Sequence, residues 1–280
     1  MGTLYVVATP IGNLEDFSYR GVRILSEVSL ILCEDTRKTK ILLNRYEINT
    51  KMMSYLEWNH TKRIERILVE LENSDVAVVS EAGTPAFHDP GSALVKAVVE
   101  AGLLVAPVPG PNAVASIVSV AGVTADKFIF LGFLPRKKNE RRKMFEALLM
   151  NSDPIIFYES PHRVVDSLNI IQEILGDRRL VVGREMTKLY EEIYRGILSE
   201  AIKHFSKPRG EFTVLIEGNQ KKPGYLLTYL EFSFNNELGY GLQRIAGGSF
   251  RGCFYCLDSF LSIRLGYVKG FFDRSRVFYL

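Results

Sequence analysis

The sequence has little cysteine and no long hydrophobic run. Three cysteines in 280 residues are too few for a disulfide framework, so a reducing cytoplasm is the expected location. No apolar stretch reaches the roughly 18 residues of a membrane-spanning helix. The first apolar run also lacks the basic segment that begins a signal peptide. We therefore expect neither a membrane partner nor a secreted disulfide scaffold.

Several common ligand motifs are missing as well. The chain contains no G-x-x-x-x-G-K-[ST] phosphate loop and no G-x-G-x-x-G dinucleotide fingerprint. The hydrolase motif G-x-S-x-G and the zinc motif H-E-x-x-H are also absent. Scattered histidines and a lone C-x-x-C, formed by Cys253 and Cys256, do not provide a ligand set. The sequence predicts no metal site.

Strong charge of either sign is absent from most of the chain. The net charge is +3, but the segment 221–280 holds 8 Lys or Arg and 4 Asp or Glu. The segment 1–220 therefore holds 27 Lys or Arg and 28 Asp or Glu. Any affinity for nucleic acid in that part must come from local basic patches.

Among the features that are present, one buried strand and the loop after it stand out. Val76–Val79 is a continuous apolar run, which is typical of strands in parallel sheets. The loop at residues 80–91 contains Gly83 and two prolines, and a helical pattern begins at Ser92. Ligands of open α/β sheets bind at the carboxyl ends of strands. The loop is therefore a candidate ligand site, although a plain strand–turn–helix connection would have a similar composition.

Strands and helices alternate along the segment 1–220. In residues 1–124, strands are predicted at 3–8, 28–33, 51–55, 76–79 and 103–107, with helical patterns between them. This alternation predicts a doubly wound parallel sheet. The pattern restarts after residues 122–125, and residues 125–220 are expected to form a second domain with a mixed sheet. The predicted fold class is therefore α/β with two domains.

Residues 221–280 differ in composition from the rest of the chain. They hold 14 of the 31 aromatic residues and 8 of the 22 glycines, without a sustained helical or strand period. We expect this tail to be poorly ordered or weakly packed. A shifted reading frame near Lys222 would explain the change.

Six polar clusters follow predicted strands, at residues 9–13, 34–38, 80–91, 108–112, 158–163 and 184–188. Carboxyl ends of parallel strands share one edge of a sheet, so the first four clusters should converge. The last two would face them from the second domain. A cleft between domains is a common ligand site. The residues thus predict a two-domain α/β enzyme that binds its ligand between the domains.

Eight motifs, in this order, resemble one known family. They are ATPIGNLEDFSYR (8–20), CEDTRKTKILL (33–43), SEAGTPAFHDPG (80–91), VPGPNA (108–113), FLGFLPRK (130–137), YESPHR (158–163), REMTK (184–188) and GEFTVLIEG (210–218). Together they resemble the RsmI-type ribosomal RNA 2′-O-ribose methyltransferases of the tetrapyrrole-methylase superfamily. The resemblance implies a homodimer with a tetrapyrrole-methylase-like fold and S-adenosylmethionine in the interdomain cleft. The implied substrate is a cytidine ribose in the decoding region of 16S ribosomal RNA, free or in the small ribosomal subunit.

This resemblance also suggests which residues contact the methyl donor. The predicted set is Pro10, Ser80, Gly83, Thr84, Asp89, Ala115, Ser116, Tyr158, Met186 and Thr213. Gly83 and Thr84 would face the methionine part of the donor, and Tyr158 and Met186 the adenine. Each residue could instead serve only the structure of its own turn.

A base that accepts the hydroxyl proton would assist the transfer. Acidic residues at predicted strand ends are candidates: Glu34, Asp35, Glu81, Glu159 and Glu185. We favour Glu159, although an ion pair with Arg163, four residues later, would explain it as well. Lys188 is a second candidate if burial lowers its pKa. Alignment of the two bound partners can also supply much of the rate without a base.

Cations near the strand ends are candidates for RNA contacts. The predicted set is Arg37, Lys38, Arg136, Lys137, Lys138, Arg141, Arg142, His162 and Arg163. Phosphate contacts of this kind give affinity and position rather than sequence choice. The basic segment could instead be a solvated helix face, and His162 and Arg163 could shape a helix terminus.

Two other functions remain open at this point. One is a methyltransferase of the same superfamily that acts on a tetrapyrrole or a protein. The other is a non-catalytic ribosome-binding relative that keeps the donor pocket.

The chain also departs from the family pattern, with Glu81 in place of the usual Asp, and Ala86-Phe87-His88 in place of a Gly-Ile-Ser-like stretch.

Overall fold

The computed structural model describes residues 1–55, 60–87 and 91–220. Residues 1–220 form one compact unit. The expectation that residues 221–280 are poorly ordered, and the predicted donor contact of Asp89, lie outside the described residues. No helix in the described ranges is long and apolar enough to cross a membrane.

The segment 3–108 contains a five-stranded parallel sheet. Its strands are β1 (Thr3–Val7), β2 (Leu30–Cys33), β3 (Met52–Ser54), β4 (Val76–Val79) and β5 (Leu104–Val108). Their order is β3-β2-β4-β1-β5, and all neighbours are parallel. Because β4 lies between β1 and β2 at the centre, all four of its residues are buried. This confirms the strand predicted from the continuous apolar run.

Helices cover both faces of this sheet. Helices α1 (Tyr19–Glu27) and α2 (Thr36–Arg45) share a core with one face, which includes Ala77 of β4. Helices α3 (His60–Asn73) and α4 (Gly91–Glu100) share another core with the opposite face, which includes Val78. The doubly wound arrangement predicted from the alternating pattern is therefore confirmed.

A second sheet follows, and it is mixed. Its strands are β6 (Ile129–Phe133), β7 (Ile155–Glu159), β8 (Arg179–Arg184), β9 (Glu192–Ile197) and β10 (Phe212–Ile216), in the order β6-β7-β10-β8-β9. Only β6 and β7 are parallel among these neighbours, since the other three pairings are antiparallel. The core on one face lies under α6 (Lys138–Ala147), α7 (Val164–Leu175) and α8 (Leu198–His204). The predicted mixed sheet is confirmed.

Helix α5 (Ala113–Ala121) packs on the other face of this second sheet. Its Val114 and Ile117 share a core with Ile156, Val181 and Leu215. The helix precedes residue 124, where the change of sequence pattern suggested a domain boundary, yet its apolar side is buried against the later strands. The α5 contact thus holds the strand ends of the second sheet opposite those of the first.

Candidate functional site

A cleft of about 470 Å³ lies between the strand ends of the two sheets. From the first sheet it is lined by Ile11, Glu34, residues 81–84, Phe87, Asn112 and Ala113. From the second sheet it is lined by Phe133, residues 158–161, Gly183, Met186, Lys188 and residues 211–213. The volume suits one organic ligand of moderate size. The predicted strand-end clusters therefore do meet in one place.

The loop after β4 is fixed to the end of β1 by its backbone. The Thr9 N–H donates to the Gly83 carbonyl at 2.8 Å, and the Gly83 N–H donates back to Thr9 at 3.1 Å. Gly83 has a φ of 80°, a conformation that favours glycine. Ser80 is buried, and its hydroxyl donates to the carbonyls of Ala82 and Gly83. Ser80 thus shapes the loop, whereas Gly83 lies on the cleft wall.

The loop after β8 is held against the first sheet. A Cβ on Gly183 would lie 2.5 Å from the Met186 sulfur, so the missing side chain is what lets Met186 fold over the strand. Glu185 and Thr187 have φ values of 49° and 67°, which are uncommon outside glycine. The Thr187 hydroxyl accepts a hydrogen bond of 3.0 Å from the Asn13 N–H. Because strained backbone persists only where its surroundings determine it, this loop has a fixed position on the cleft wall.

Lys188 lies in an acidic cluster. Its ammonium group donates to Glu185 and to Glu211, each at 2.9 Å. Burial tends to lower the pKa of Lys188, but the hydrogen bonds to the two carboxylates outweigh it and raise this pKa above its usual value. The condition that would make Lys188 a base, a lowered pKa, is therefore not met. For Glu185, burial raises the pKa, but the bonds from Lys188 and the Glu211 N–H outweigh it and lower this pKa.

Glu159 lies at the carboxyl end of β7 and is only 1% exposed. Arg163 donates to both of its oxygens at 2.8 Å. The Ser167 hydroxyl and the Ser160 N–H also donate to this carboxylate, each at 2.8 Å. The geometry therefore supports the ion pair with Arg163 that the sequence left open. It does not support Glu159 as the base.

Cations of the first sheet pair with nearby carboxylates. Lys38 bonds to Glu81 on the cleft wall, and this bond raises the pKa of Lys38. Arg37 donates to Asp35 at 2.8 Å, and this bond lowers the pKa of that half-buried carboxyl to about 2. Both cations are exposed beside the cleft, as an RNA contact requires. Across the described ranges, no three His, Cys, Asp or Glu side chains are grouped to hold a metal ion.

The basic segment around α6 has both exposed and buried members. Arg136, Lys137 and Lys138 are exposed. Arg141 is only 2% exposed, and its guanidinium group donates to the carbonyls of Pro135 and Arg136 at 3.0 Å and to Asp166. The prediction that Arg141 binds RNA is therefore wrong, because its charge is used inside the protein to hold the turn before α6.

Two further predicted RNA contacts have internal partners. Arg142 is half-buried and bonds to Glu173 on α7. Arg163 donates to the Leu134 carbonyl at 2.7 Å in addition to Glu159. His162 is exposed and follows the cleft residues 160 and 161. Of the second-sheet candidates, His162 and the cations at 136–138 face solvent, and two of these cations also form ion pairs, Lys137 with Glu140 at 3.2 Å and Lys138 with Asp166 at 2.6 Å.

The predicted donor contacts divide into two groups. Gly83, Thr84, Tyr158, Met186 and Thr213 line the cleft. Pro10, Ser80, Ala115 and Ser116 are not among the lining residues.

Ala115 and Ser116 belong to the first turn of α5, which begins at the cleft. Asn112 caps this helix by accepting bonds from the N–H groups of Val114 and Ala115, and Asn112 and Ala113 line the cleft. Ser116 donates to the Asn112 carbonyl instead.

Sequence reasoning missed several wall residues. Asn112 and Ala113 belong to the quoted VPGPNA motif, and their position before a helix could have identified them. Ile11 follows β1 in the same way. Glu211 was missed because β10 runs antiparallel to β7 and β8, so that its beginning, and not its end, lies at the cleft.

The chain is similar in sequence to known methyltransferases. The family model of Tetrapyrrole (Corrin/Porphyrin) Methylases matches residues 3–202. A Thermotoga maritima protein named ribosomal RNA small subunit methyltransferase I is 50% identical over 223 residues, which is 79% of this chain and all of that protein. Its namesake in Synechocystis is 40% identical over 250 residues, which cover 87% and 90% of the two chains.

Solved structures share the fold at low sequence identity. A cobalt precorrin-4 methyltransferase of cobalamin biosynthesis is 15% identical with a TM-score of 0.57, and 77% of this chain and 94% of that chain are covered. A diphthine synthase is 13% identical with a TM-score of 0.61, over 77% and 90% of the chains. The sequence match over residues 3–202 and this shared fold agree, and the chain belongs to the tetrapyrrole methylase family.

Proposed function

We propose that this chain is a methyltransferase of small-subunit ribosomal RNA that uses S-adenosylmethionine and methylates the ribose 2′-hydroxyl of a cytidine. The observation that carries the proposal is the 50% identity to a ribosomal RNA small subunit methyltransferase I whose whole length is covered. We assign the reaction to the cleft between the two sheets. The ribose position and the cytidine follow from the resemblance of the motifs.

The chemistry of the cleft fits the donor. S-adenosylmethionine carries a flat adenine, a sulfonium cation, an ammonium group and a carboxylate. The cleft wall carries Glu34, Glu81 and Glu211 together with Lys188, so groups of both signs are available to the ammonium and carboxylate of the donor. Met186 and Tyr158 offer apolar surface for the adenine. We assign Gly83, Thr84, Asn112, Ala113 and Thr213 to the remaining polar contacts, because they line the same space.

Positioning supplies most of the rate in this proposal. When bound, the donor supplies a methyl group whose bond to sulfur breaks as the ribose oxygen attacks. The chain holds the hydroxyl in line with that bond, which converts a bimolecular step into an effectively unimolecular one. Glu159 is enclosed by hydrogen bonds and Lys188 keeps its proton, so neither serves as the base. The hydroxyl proton passes to water at the mouth of the cleft.

RNA binding is assigned to the exposed cations beside the cleft. Arg37 and Lys38 lie in the first turn of α2, and Arg136, Lys137 and Lys138 follow β6. They follow the cleft residues Glu34 and Phe133 in the chain, and we assign to them the phosphates on either side of a target nucleotide. We also expect a homodimer that works in the cytoplasm, as the resemblance implies.

Ribose methylation provides a direct test. Small ribosomal subunits from cells that lack this methyltransferase are incubated with the purified chain and S-adenosylmethionine, and 2′-O-methylation is mapped by resistance to alkaline cleavage. One new protected cytidine is expected. Methyl transfer to a base, or to no RNA while the donor binds, would contradict the proposal, and the second result would favour the non-catalytic relative.

A further inference from the structure

Glu211 immediately precedes β10, the middle strand of the second sheet. Because β10 runs antiparallel to β7 and β8, its beginning lies at the cleft beside the carboxyl ends of those strands. The Glu211 N–H donates to the Glu185 carboxylate at 2.9 Å, and the Glu211 carbonyl accepts from the Glu185 N–H at 3.0 Å. These backbone bonds hold the Glu211 side chain, which is 80% exposed, on the cleft wall.

Lys188 reaches Glu211 from the loop after β8. Its stem packs against Gly12 in the loop after β1, where a Cβ would lie 2.4 Å from the Lys188 Cγ. Its ammonium group donates to Glu185 Oε1 and to Glu211 Oε2, each at 2.9 Å. Burial opposes the charge of Lys188, but these two bonds raise its pKa, so the ammonium keeps its protons. The position and the charge of Lys188 are therefore both set by its neighbours.

Glu211 and Lys188 each keep hydrogen-bonding capacity beyond their own ion pair. An ammonium group has three N–H donors, and Lys188 uses two of them on Glu185 and Glu211. Glu211 accepts from Lys188 through Oε2, and no group of the described ranges donates to its Oε1. One N–H donor and one carboxylate oxygen thus remain for a ligand of the cleft that both residues line.

A hydroxyl is the group that suits this pair. It donates one hydrogen bond and accepts others, so a single hydroxyl can donate to Glu211 and accept from Lys188. An ammonium group would be repelled by Lys188. A carboxylate or a phosphate would be repelled by Glu185 and Glu211, whose two charges exceed the one of Lys188. Lys188 therefore suits a neutral hydroxyl better than the carboxylate of the donor.

We propose that Glu211 and Lys188 bind the ribose 2′-hydroxyl that is methylated, with Glu211 accepting its hydrogen and Lys188 donating to its oxygen. The inference rests on the proposed function and adds to it two residues that orient the substrate. The two bonds direct the remaining lone pair of the hydroxyl oxygen. This lone pair bonds to the methyl carbon while the carbon–sulfur bond breaks and leaves its electrons on sulfur. The hydroxyl proton passes to water.

The exposure of Glu211 favours the RNA over the donor as the source of the hydroxyl, although both contain ribose. A side chain that is 80% exposed lies on the open side of the cleft, where a ligand as large as RNA can reach it. The 2′-hydroxyl is also the group by which a protein distinguishes RNA from DNA. The pair should therefore give the protein a preference for ribonucleotides at the target position.

Binding to two matched strands tests the proposal without methyl transfer. One is a single-stranded oligoribonucleotide with one cytidine, and the other has 2′-deoxycytidine at that position. Both affinities are measured in the presence of S-adenosylhomocysteine for the wild type, Glu211→Ala and Lys188→Met. Glu100→Ala is the matched control, because Glu100 is 66% exposed, pairs with Lys96 and does not line the cleft.

The ratio of the two affinities reports on the hydroxyl alone. A hydrogen bond to a charged group corresponds to about 10- to 150-fold in affinity, and the wild type should prefer the ribose strand by at least this factor. The ratio should fall at least about fivefold in Glu211→Ala and in Lys188→Met, and it should stay unchanged in the control. Partial unfolding lowers both affinities together, so a merely structural role would leave the ratio as it is. A wild-type ratio near one, or an unchanged ratio in either variant, would refute the proposal.

Two further measurements decide which ribose is bound and what Glu211 does. Donor affinity by calorimetry should be unchanged in Glu211→Ala and Lys188→Met, and weaker donor binding at unchanged Tm would move the pair to the donor and overturn the proposal. Glu211→Gln keeps an acceptor oxygen, so its kcat on small ribosomal subunits should stay within about tenfold of wild type. A fall of about 100-fold or more, as for loss of a general base, would contradict the orienting role.

Failure of the proposed function gives a different pattern. If the wild type methylates no RNA but the affinity ratio depends on Glu211 and Lys188, the proposed function fails and the pair still binds a ribose hydroxyl. If RNA is methylated but the ratio is the same in all proteins, only the role of this pair is refuted.

Discussion

Replacement of Glu159 by glutamine tests whether this residue is structural or catalytic. The substitution keeps the volume of the side chain and removes its charge. The Glu159 side chain is fully buried, and the Arg163 side chain is 25% exposed. The Ser160 N–H can still donate to the amide oxygen of glutamine. The change thus leaves the Arg163 guanidinium group without its anionic partner.

The expected loss of stability follows from this geometry. Removal of one partner of a buried ion pair costs about 3–5 kcal/mol. Because Arg163 is partly exposed and some hydrogen bonds persist, we expect about 2–3 kcal/mol. For a domain of this size, each kcal/mol lowers Tm by about 2–4 °C, so Tm should fall by roughly 4–12 °C.

Calorimetry and kinetics on the same variant decide between the two roles. Glu173→Gln is the control, because it breaks the exposed pair with Arg142 and should cost at most about 1 kcal/mol. Loss of a general base lowers kcat by about 100- to 10,000-fold. We expect kcat of Glu159→Gln within about tenfold of wild type at a temperature where it is folded, since the proposed mechanism does not use this carboxylate as a base. A fall of 100-fold or more at unchanged Tm would refute the reasoning.

Three further predictions follow. Charge reversal of Arg136 and Lys137 should weaken RNA binding and reduce the slope of log affinity against log salt concentration by about 1.5–2 units, with donor affinity unchanged. The control Lys96→Glu, at an exposed residue, should leave this slope as it is. Glu185 has a lowered pKa, so its carboxylate stabilises the fold above its unfolded pKa of about 4.3 and loses this effect as pH falls through the lower folded pKa. The Tm values of wild type and Glu185→Gln should therefore differ at pH 7 and converge as pH falls through that folded pKa. A chain that ends at Gln220, where the first compact unit ends, should bind the donor within about twofold of the full chain by calorimetry, and an unfolded product would contradict this.

Local patterns were sufficient to predict most elements of residues 1–220. The continuous apolar run of β4 predicted a strand buried on both faces, because a parallel sheet with helices on each side hides every side chain of its centre. The convergence of polar loops followed from the same geometry, since parallel strands end at one edge. Gly83 and Thr84 were therefore found before the fold was known, and both line the cleft.

Features that depend on contacts distant in sequence could not be predicted in this way. The pattern around α6 shows six cations, but only the fold reveals that Arg141 turns inward to Asp166, 25 residues later. The β-bulge between Phe130 and Phe133 of β6 is invisible without the register of β7. The packing of α5 on the second sheet likewise requires β8 and β10, which come more than fifty residues later.

The charges of the cleft support catalysis by positioning. Glu81 bonds to Lys38, Glu211 to Lys188, and Glu159 to Arg163, so three wall carboxylates have cationic partners within the protein. The same pairs fix the loops after β2, β4, β7 and β8, whose residues define where each substrate can lie. The rate should therefore depend more on the geometry of these loops than on any single titrating group.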